Sequence, residues 1–194
     1  MAVLMTLEVS GGTTAQYDRT SELVGIAGEE DAPAGLINHT CGITDEGIVI
    51  VDVWESVSSL DEFMHERLGP AFAEAQMPPA TPRISPIHEL LFGCGSEPNV
   101  LVLLDAPGAT PETYDAITGR MPSHGGAGEG HPSVLHAAGV EPDGFHIAAL
   151  YESEEAYKEF AQRELLPQMG NPRYFVLRMW PVHSCLVVRP RAGA

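Results

Sequence analysis

The chain has 194 residues, 44% of them hydrophobic and 19% charged, which is globular composition rather than disorder. Lys and Arg number 10 against 27 Asp and Glu, a formal charge of −17. Phosphate backbones and anionic lipid surfaces would be repelled, so neither nucleic-acid nor membrane partners are expected. No apolar run reaches the ~18 residues of a membrane span. The start, MAVLMTLEVS, has no basic segment and no cleavage site, and Cys41, Cys94 and Cys185 are widely spaced, which fits free thiols in a reducing cytoplasm.

In chain order, Ala2–Val9, rich in Val and Leu, predicts a first strand. Thr13 is placed to cap a helix carrying Tyr17, which runs into the loop GEEDAPAG. Gly35–Cys41 predicts a second strand, TDEG a tight turn, and Ile48–Trp54 a third strand. A helix follows from near Ser58, with Leu60, Phe63 and Leu68 on one apolar face. Arg83–Phe92 predicts a fourth strand, and GCGSEP reads as a linker. The pattern then recurs: strand Asn99–Ala106, a helix capped by Thr110 with Pro111 in its first turn, strand Ser133–Ala138, turn EPDG, strand Phe145–Tyr151, a helix from near Glu154, and strand Tyr174–Val187.

Sliding the chain along itself by 97 positions lays residues 2–70 on 99–167 without a gap. Tyr17-Asp18 falls on Tyr114-Asp115, His39 on His136, Gly47 on Gly144, and Glu55-Ser56 on Glu152-Ser153. After a two-residue deletion, Arg83, Pro86 and His88 meet Arg178, Pro181 and His183. We therefore expect an α+β protein of two tandem ferredoxin-like βαββαβ domains, residues 1–92 and 99–190, joined by a linker over 93–98. Nearly every position of the third strand is apolar, so both faces of its sheet must be buried. The expected solution is for the two antiparallel sheets to pack together as an intramolecular pseudo-dimeric barrel. That makes a monomer the simplest assembly, with room for further homo-oligomerisation.

The order of elements, the stretch VDVWES…LDEFMHERLGPAF and the closing RISPIHELL resemble the dimeric α/β-barrel superfamily. Its antibiotic-biosynthesis-monooxygenase-like members are nearest, and each half is similar to small single-domain actinobacterial proteins of unassigned function. The superfamily includes cofactor-free monooxygenases, isomerases, polyketide cyclases, chlorite dismutases and other haem enzymes, so the resemblance implies a fold more than a reaction.

Two histidine positions recur in both halves, giving four residues: His39 and His136 on the second strand, His88 and His183 on the last. Imidazole suits proton transfer near neutral pH, and these four are the candidate catalytic residues. Within one half, His39 and His88 stand on opposite sheet edges, ~14 Å apart. In the barrels of the resembled superfamily, the second strand of one half borders the last strand of the other, which would bring His39 towards His183 and His136 towards His88. Trp54 and Tyr151, Phe63 and Phe160, and Asn38 (Leu135 in the second copy) are the expected substrate-lining residues. A His124–His131–His146 metal set is conceivable, but no carboxylate or Cys stands at ligand spacing near it. No metal and no cofactor are therefore expected. The leading functional expectation is a cofactor-free monooxygenase or isomerase acting on an aromatic or polyketide-like small molecule. A non-catalytic small-ligand-binding protein is the alternative, and a haem-binding protein the third reading.

Overall fold

The computed structural model describes residues 1–124, 130–169 and 175–188. Residues 125–129 of the Gly-rich loop and Tyr174, the expected start of the last strand, lie outside them. The elements are β1 (Val3–Ser10), α1 (Thr14–Val24), β2 (Leu36–Thr44), β3 (Gly47–Trp54), α2 (Val57–Phe63), α3 (Gly69–Glu74) and β4 (Arg83–Phe92). They continue as β5 (Val100–Pro107), α4 (Pro111–Thr118), β6 (Leu135–Glu141), β7 (Gly144–Tyr151), α5 (Glu154–Phe160), α6 (Leu166–Gln168) and β8 (Val176–Val187). A π-helical turn, Met64–Leu68, joins α2 to α3, and another, Ala161–Leu165, joins α5 to α6. The strands hydrogen-bond in the order β1-β3-β2-β8-β5-β7-β6-β4, a closed barrel. This is the arrangement of the dimeric α/β-barrel fold. No helix among the described residues is long and apolar enough to cross a membrane.

Two compact units divide the chain: Met1–Ile84 together with the segment from His183, and Ser85–Val182. The boundaries fall inside β4 and β8 and not at residues 93–98. Strand pairing gives the reason. Ile87–Phe92 of β4 forms its ladder with β6, and Gly93, Cys94 and Gly95 donate backbone hydrogen bonds to Val134, His131 and Ser133. The expected linker is thus fastened to the second unit.

Local chemistry explains the elements of each unit. Thr13 caps α1 by accepting from Gln16 N, while Gln16 Oε1 accepts from Thr13 N. Thr110 and Thr113 repeat this reciprocal pair at the start of α4. Ser56 and Ser153 cap the second helices. Both hairpins ladder up to the turn, Thr44 opposite Gly47 and Glu141 opposite Gly144, so β2 and β6 outlast the expected strands. Gly47 and Gly144 sit at φ +155° and +156°, and a Cβ there would lie 2.2 Å from Val9 O or 2.3 Å from Ala106 O.

In the first unit, every residue from Ile48 to Trp54 is buried. Ile48, Ile50 and Trp54 share a core with Tyr17 of α1 and Leu60 of α2. Strand alternation puts position 52 on the same face, and the residue there is an aspartate. In the second unit β7 is buried throughout. Phe145 and Ile147 pack with Tyr114 of α4, and Ala149 and Tyr151 with Tyr157 and Phe160 of α5.

Gly47→Ala should destabilise the protein by clearly more than Gly11→Ala. Gly11 also has positive φ, +76°, but a Cβ there meets nothing within 4 Å, so its cost is the ~1–2 kcal/mol of a left-handed residue. Urea denaturation of the two variants measures the difference, and equal midpoints would refute the backbone clash.

Candidate functional site

The first unit holds a cavity of ≈ 180 Å³ between α1, the α2–α3 helix and β3, lined by Tyr17, His39, Asp52, Trp54, Phe63 and Leu186 among others. His39 and Asp52 are direct cross-strand partners on β2 and β3. Their side chains meet at 2.7 Å, Nδ1 to Oδ1, and Tyr17 Oη lies 2.7 Å from His39 Nε2. An ionised carboxylate can only accept, so Nδ1 carries the proton and donates to Asp52. Nε2 then offers its lone pair to the Tyr17 hydroxyl, which donates. Trp54 Nε1 donates to the other carboxylate oxygen, Oδ2, at 3.4 Å. Asp52 is 2% exposed, and so buried a carboxylate needs such partners.

The electrostatics follow from these contacts. Burial works to lower the His39 pKa, but the charge of Asp52 and its hydrogen bond outweigh burial and raise it above the ordinary value. Burial pushes the Tyr17 phenol up to about 12, so it stays protonated and acts as a donor. His183 approaches the Tyr17 ring edge-on, with centroids 5.4 Å apart, and its Nε2 pairs with Asp18 Oδ1 at 2.7 Å.

The second unit repeats some contacts and changes others. Its cavity, ≈ 90 Å³, is lined by Tyr114, His124, His136, Tyr151, Phe160 and apolar neighbours. Tyr114 Oη lies 2.8 Å from His136 Nε2, and His88 meets the Tyr114 ring edge-on and pairs with Asp115 at 2.7 Å. The cross-strand partner of His136 on β7, however, is Ala149, where the first unit has Asp52. Glu89 of β4 supplies the carboxylate instead: Tyr114 Oη donates to its Oε2 at 2.5 Å, and His124 Nε2 lies 2.8 Å from the same oxygen. With its proton given to Glu89, Tyr114 Oη accepts from His136 Nε2. The tyrosine–histidine hydrogen bond therefore runs in the opposite direction to that of the first unit.

Burial, then the neighbouring His131 and His124, lowers the His136 pKa to about 3. Burial and His124 also hold His131 down, at about 4. Burial pushes the Glu89 carboxyl up, but hydrogen bonds from His124 and Tyr114 and the His124 charge prevail and hold it at about 2.

The sequence expectations fare unevenly. Trp54 and Phe63 line the first cavity, Tyr151 and Phe160 the second. His39 and His183 meet on Tyr17, and His136 and His88 on Tyr114. Of these four, His39 and His136 line the two cavities described; His88 and His183 pair with helix aspartates instead. Asn38 is a correction. It is 1% exposed, and its amide donates to Thr40 Oγ and to the Leu186 carbonyl. The strand alternation that turns His39 to the cavity turns Asn38 to the opposite face. Of the conceivable metal set, His146 pairs with Asp105 at 2.8 Å, whereas His124 converges with Glu89 and His136.

Tyr17, Asp52 and Glu89 were missed. Asp52 left one signal, a lone charge inside an otherwise apolar strand. The tyrosines were visible only as repeated residues, and Glu89 is 35 residues from His124, beyond the reach of spacing arguments.

No family profile and no curated protein matches the chain in sequence. Solved structures match it in fold. A candidate monooxygenase from Lactobacillus acidophilus superposes with a TM-score of 0.65 at 12% identity, covering 96% of each chain. A second candidate monooxygenase, from Fusobacterium nucleatum, gives 0.64 at 9% identity, covering 93% of this chain and 91% of its own. An anthrone oxidase-like protein gives 0.52 at 14% identity, covering 100% and 95%. At these identities the likeness is one of fold.

The two histidines should titrate differently by NMR. His39 should change protonation above the ~6.5 of a free imidazole and fall on Asp52→Asn, because the charge that stabilises imidazolium is gone. His136 should stay neutral down to pH 5. Coincident titrations would contradict the geometry.

Proposed function

We propose that this chain is a small-molecule enzyme whose working site is the first-unit cavity, with His39 as general base, Asp52 as its orienting carboxylate and Tyr17 as the hydroxyl that links base to substrate. The carrying observation is the hydrogen-bonded chain Asp52–His39–Tyr17 lining an apolar cavity. Asp52 fixes the tautomer that leaves Nε2 free to accept a proton, and it stabilises the imidazolium that forms. Tyr17, too weak an acid to ionise itself, can receive a substrate proton on Oη while passing its own to Nε2. Trp54, Phe63, Leu68 and Phe72 supply apolar walls suited to an aromatic ring.

The reaction this favours is deprotonation of an acidic phenol, enol or benzylic C–H. An anion formed this way is electron-rich enough to react with oxygen without a metal. For an anthrone-type methylene, one atom of dioxygen becomes the new carbonyl oxygen, and the other leaves as water with both methylene hydrogens. Without oxygen chemistry, the same base would shift a double bond. The names of the fold neighbours, candidate monooxygenases and an anthrone oxidase-like protein, agree with the first of these. We read the two units as copies of one ancestral module that have diverged at Asp52/Ala149, so that one copy keeps the base. Haem is the less favoured reading, because the His39 Nε2 that would ligate iron is hydrogen-bonded to Tyr17 Oη.

Oxygen uptake and product formation with anthrones and polyhydroxylated aromatics tests the proposal. His39→Gln should lower kcat/KM by about 10²–10⁴-fold, the usual share of a general base. The acid limb of the wild-type pH profile should sit at the raised pKa of His39, since only the neutral imidazole accepts a proton. Asp52→Asn should move that limb to lower pH and lower the plateau. Tight binding of such compounds with no turnover would establish a non-catalytic binding protein instead.

A further inference from the structure

We propose that the second unit binds one divalent transition-metal ion through Glu89, His124 and His136, with Tyr114 oxygen beside the ion. The inference is independent of the base in the first unit. Each of the three residues offers a donor atom, and these atoms lie within 4.8 Å of one another. Around a tetrahedral zinc ion, nitrogen at 2.0–2.1 Å and carboxylate oxygen at 2.0–2.2 Å stand about 3.4 Å apart. Shifts of about an ångström or less convert the observed cluster to that spacing.

The convergence exceeds what an ion pair needs. Glu89 and His124 alone would satisfy each other, yet Tyr114 Oη also reaches Glu89 Oε2, at 2.5 Å, and His136 Nε2, at 2.8 Å. A third imidazole, His131, is fully buried, with its ring 5.0 Å from that of His124 and 5.6 Å from that of His136. Its Nε2 and His124 Nδ1 have no hydrogen-bond partner among the described residues, although buried polar atoms are normally satisfied. The cluster thus presents more polar capacity than its own members can use. Two imidazoles and one carboxylate suit zinc, cobalt, nickel or ferrous iron better than calcium or magnesium. Tyr114, His124 and His136 also line the ≈ 90 Å³ apolar cavity, so a further coordination position would face it.

The full chain, stripped with chelator, is titrated with Co²⁺ and followed by visible absorption, then competed with Zn²⁺. One equivalent should give the intense d–d bands of low-coordinate cobalt, and Zn²⁺ should abolish them. Glu89→Gln and His136→Gln should each weaken binding by more than about 100-fold, beyond the loss seen when a group only orients a donor. The exposed-helix control His65→Gln should leave it unchanged. Should either variant unfold by circular dichroism, zinc titration of the wild type by NMR decides, with His124 and His136 shifting and His39 unmoved. Weak octahedral-type cobalt spectra, affinity unchanged in folded variants, or histidine shifts elsewhere would overturn the site and leave surface carboxylates as the only cation binders.

Discussion

A β-strand buried at every position can carry a charge only if its neighbours satisfy it, and much of this molecule follows from that constraint at β3. Burying an unpaired carboxylate costs several kcal/mol, and Asp52 lies in the middle of a strand whose other residues from Ile48 to Trp54 are apolar. The fold answers with two donors, the imidazole facing it on β2 and the indole two residues on. Once His39 is held by Nδ1, its other nitrogen points at Tyr17 of α1. Helix, strand pair and cavity wall are thereby fixed by one chain of hydrogen bonds. The contacts that satisfy the buried carboxylate are also those on which the proposed base rests.

The second unit has no such charge on the strand facing its histidine. With Ala149 facing His136, nothing on β7 holds the imidazole, and its surroundings turn against its charged form. Tyrosine still meets histidine, but the carboxylate now comes from β4 and accepts the tyrosine's hydrogen bond. The hydrogen bond reverses, and a basic nitrogen becomes a donor. The residue across the ladder, Asp52 in one unit and Ala149 in the other, thus separates a histidine paired with a carboxylate from one that is neutral and clustered with others.

The π-helical turns bear on both cavities. Each interrupts the helix that covers its sheet, at Met64–Leu68 and Ala161–Leu165. Such turns are frequent at functional sites because the inserted residue re-aims those around it. Here Phe63 precedes one turn and Leu68 ends it, Phe160 precedes the other and Leu165 ends it, and all four line cavities.

The sequence alone determined the alternation of elements, the caps at Thr13 and Thr110, the Gly47 and Gly144 turns, and the recurring histidines. These rest on local chemistry: hydroxyls beside orphan helix amides, glycine where φ is positive, apolar runs where a strand is buried. Trp54, Tyr151, Phe63 and Phe160 line cavities, because large apolar residues on covered faces end up lining whatever space remains. The sequence misjudged Asn38, since one residue's shift along a strand reverses its face. The tertiary structure alone decided which histidine meets which carboxylate. His39 finds Asp52 13 residues on and Tyr17 22 residues back, and Glu89 reaches His124 and Tyr114 over 35 and 25 residues. Those pairings depend on strand register and helix placement, which no spacing in the chain encodes. The direction of each proton depends on them in turn.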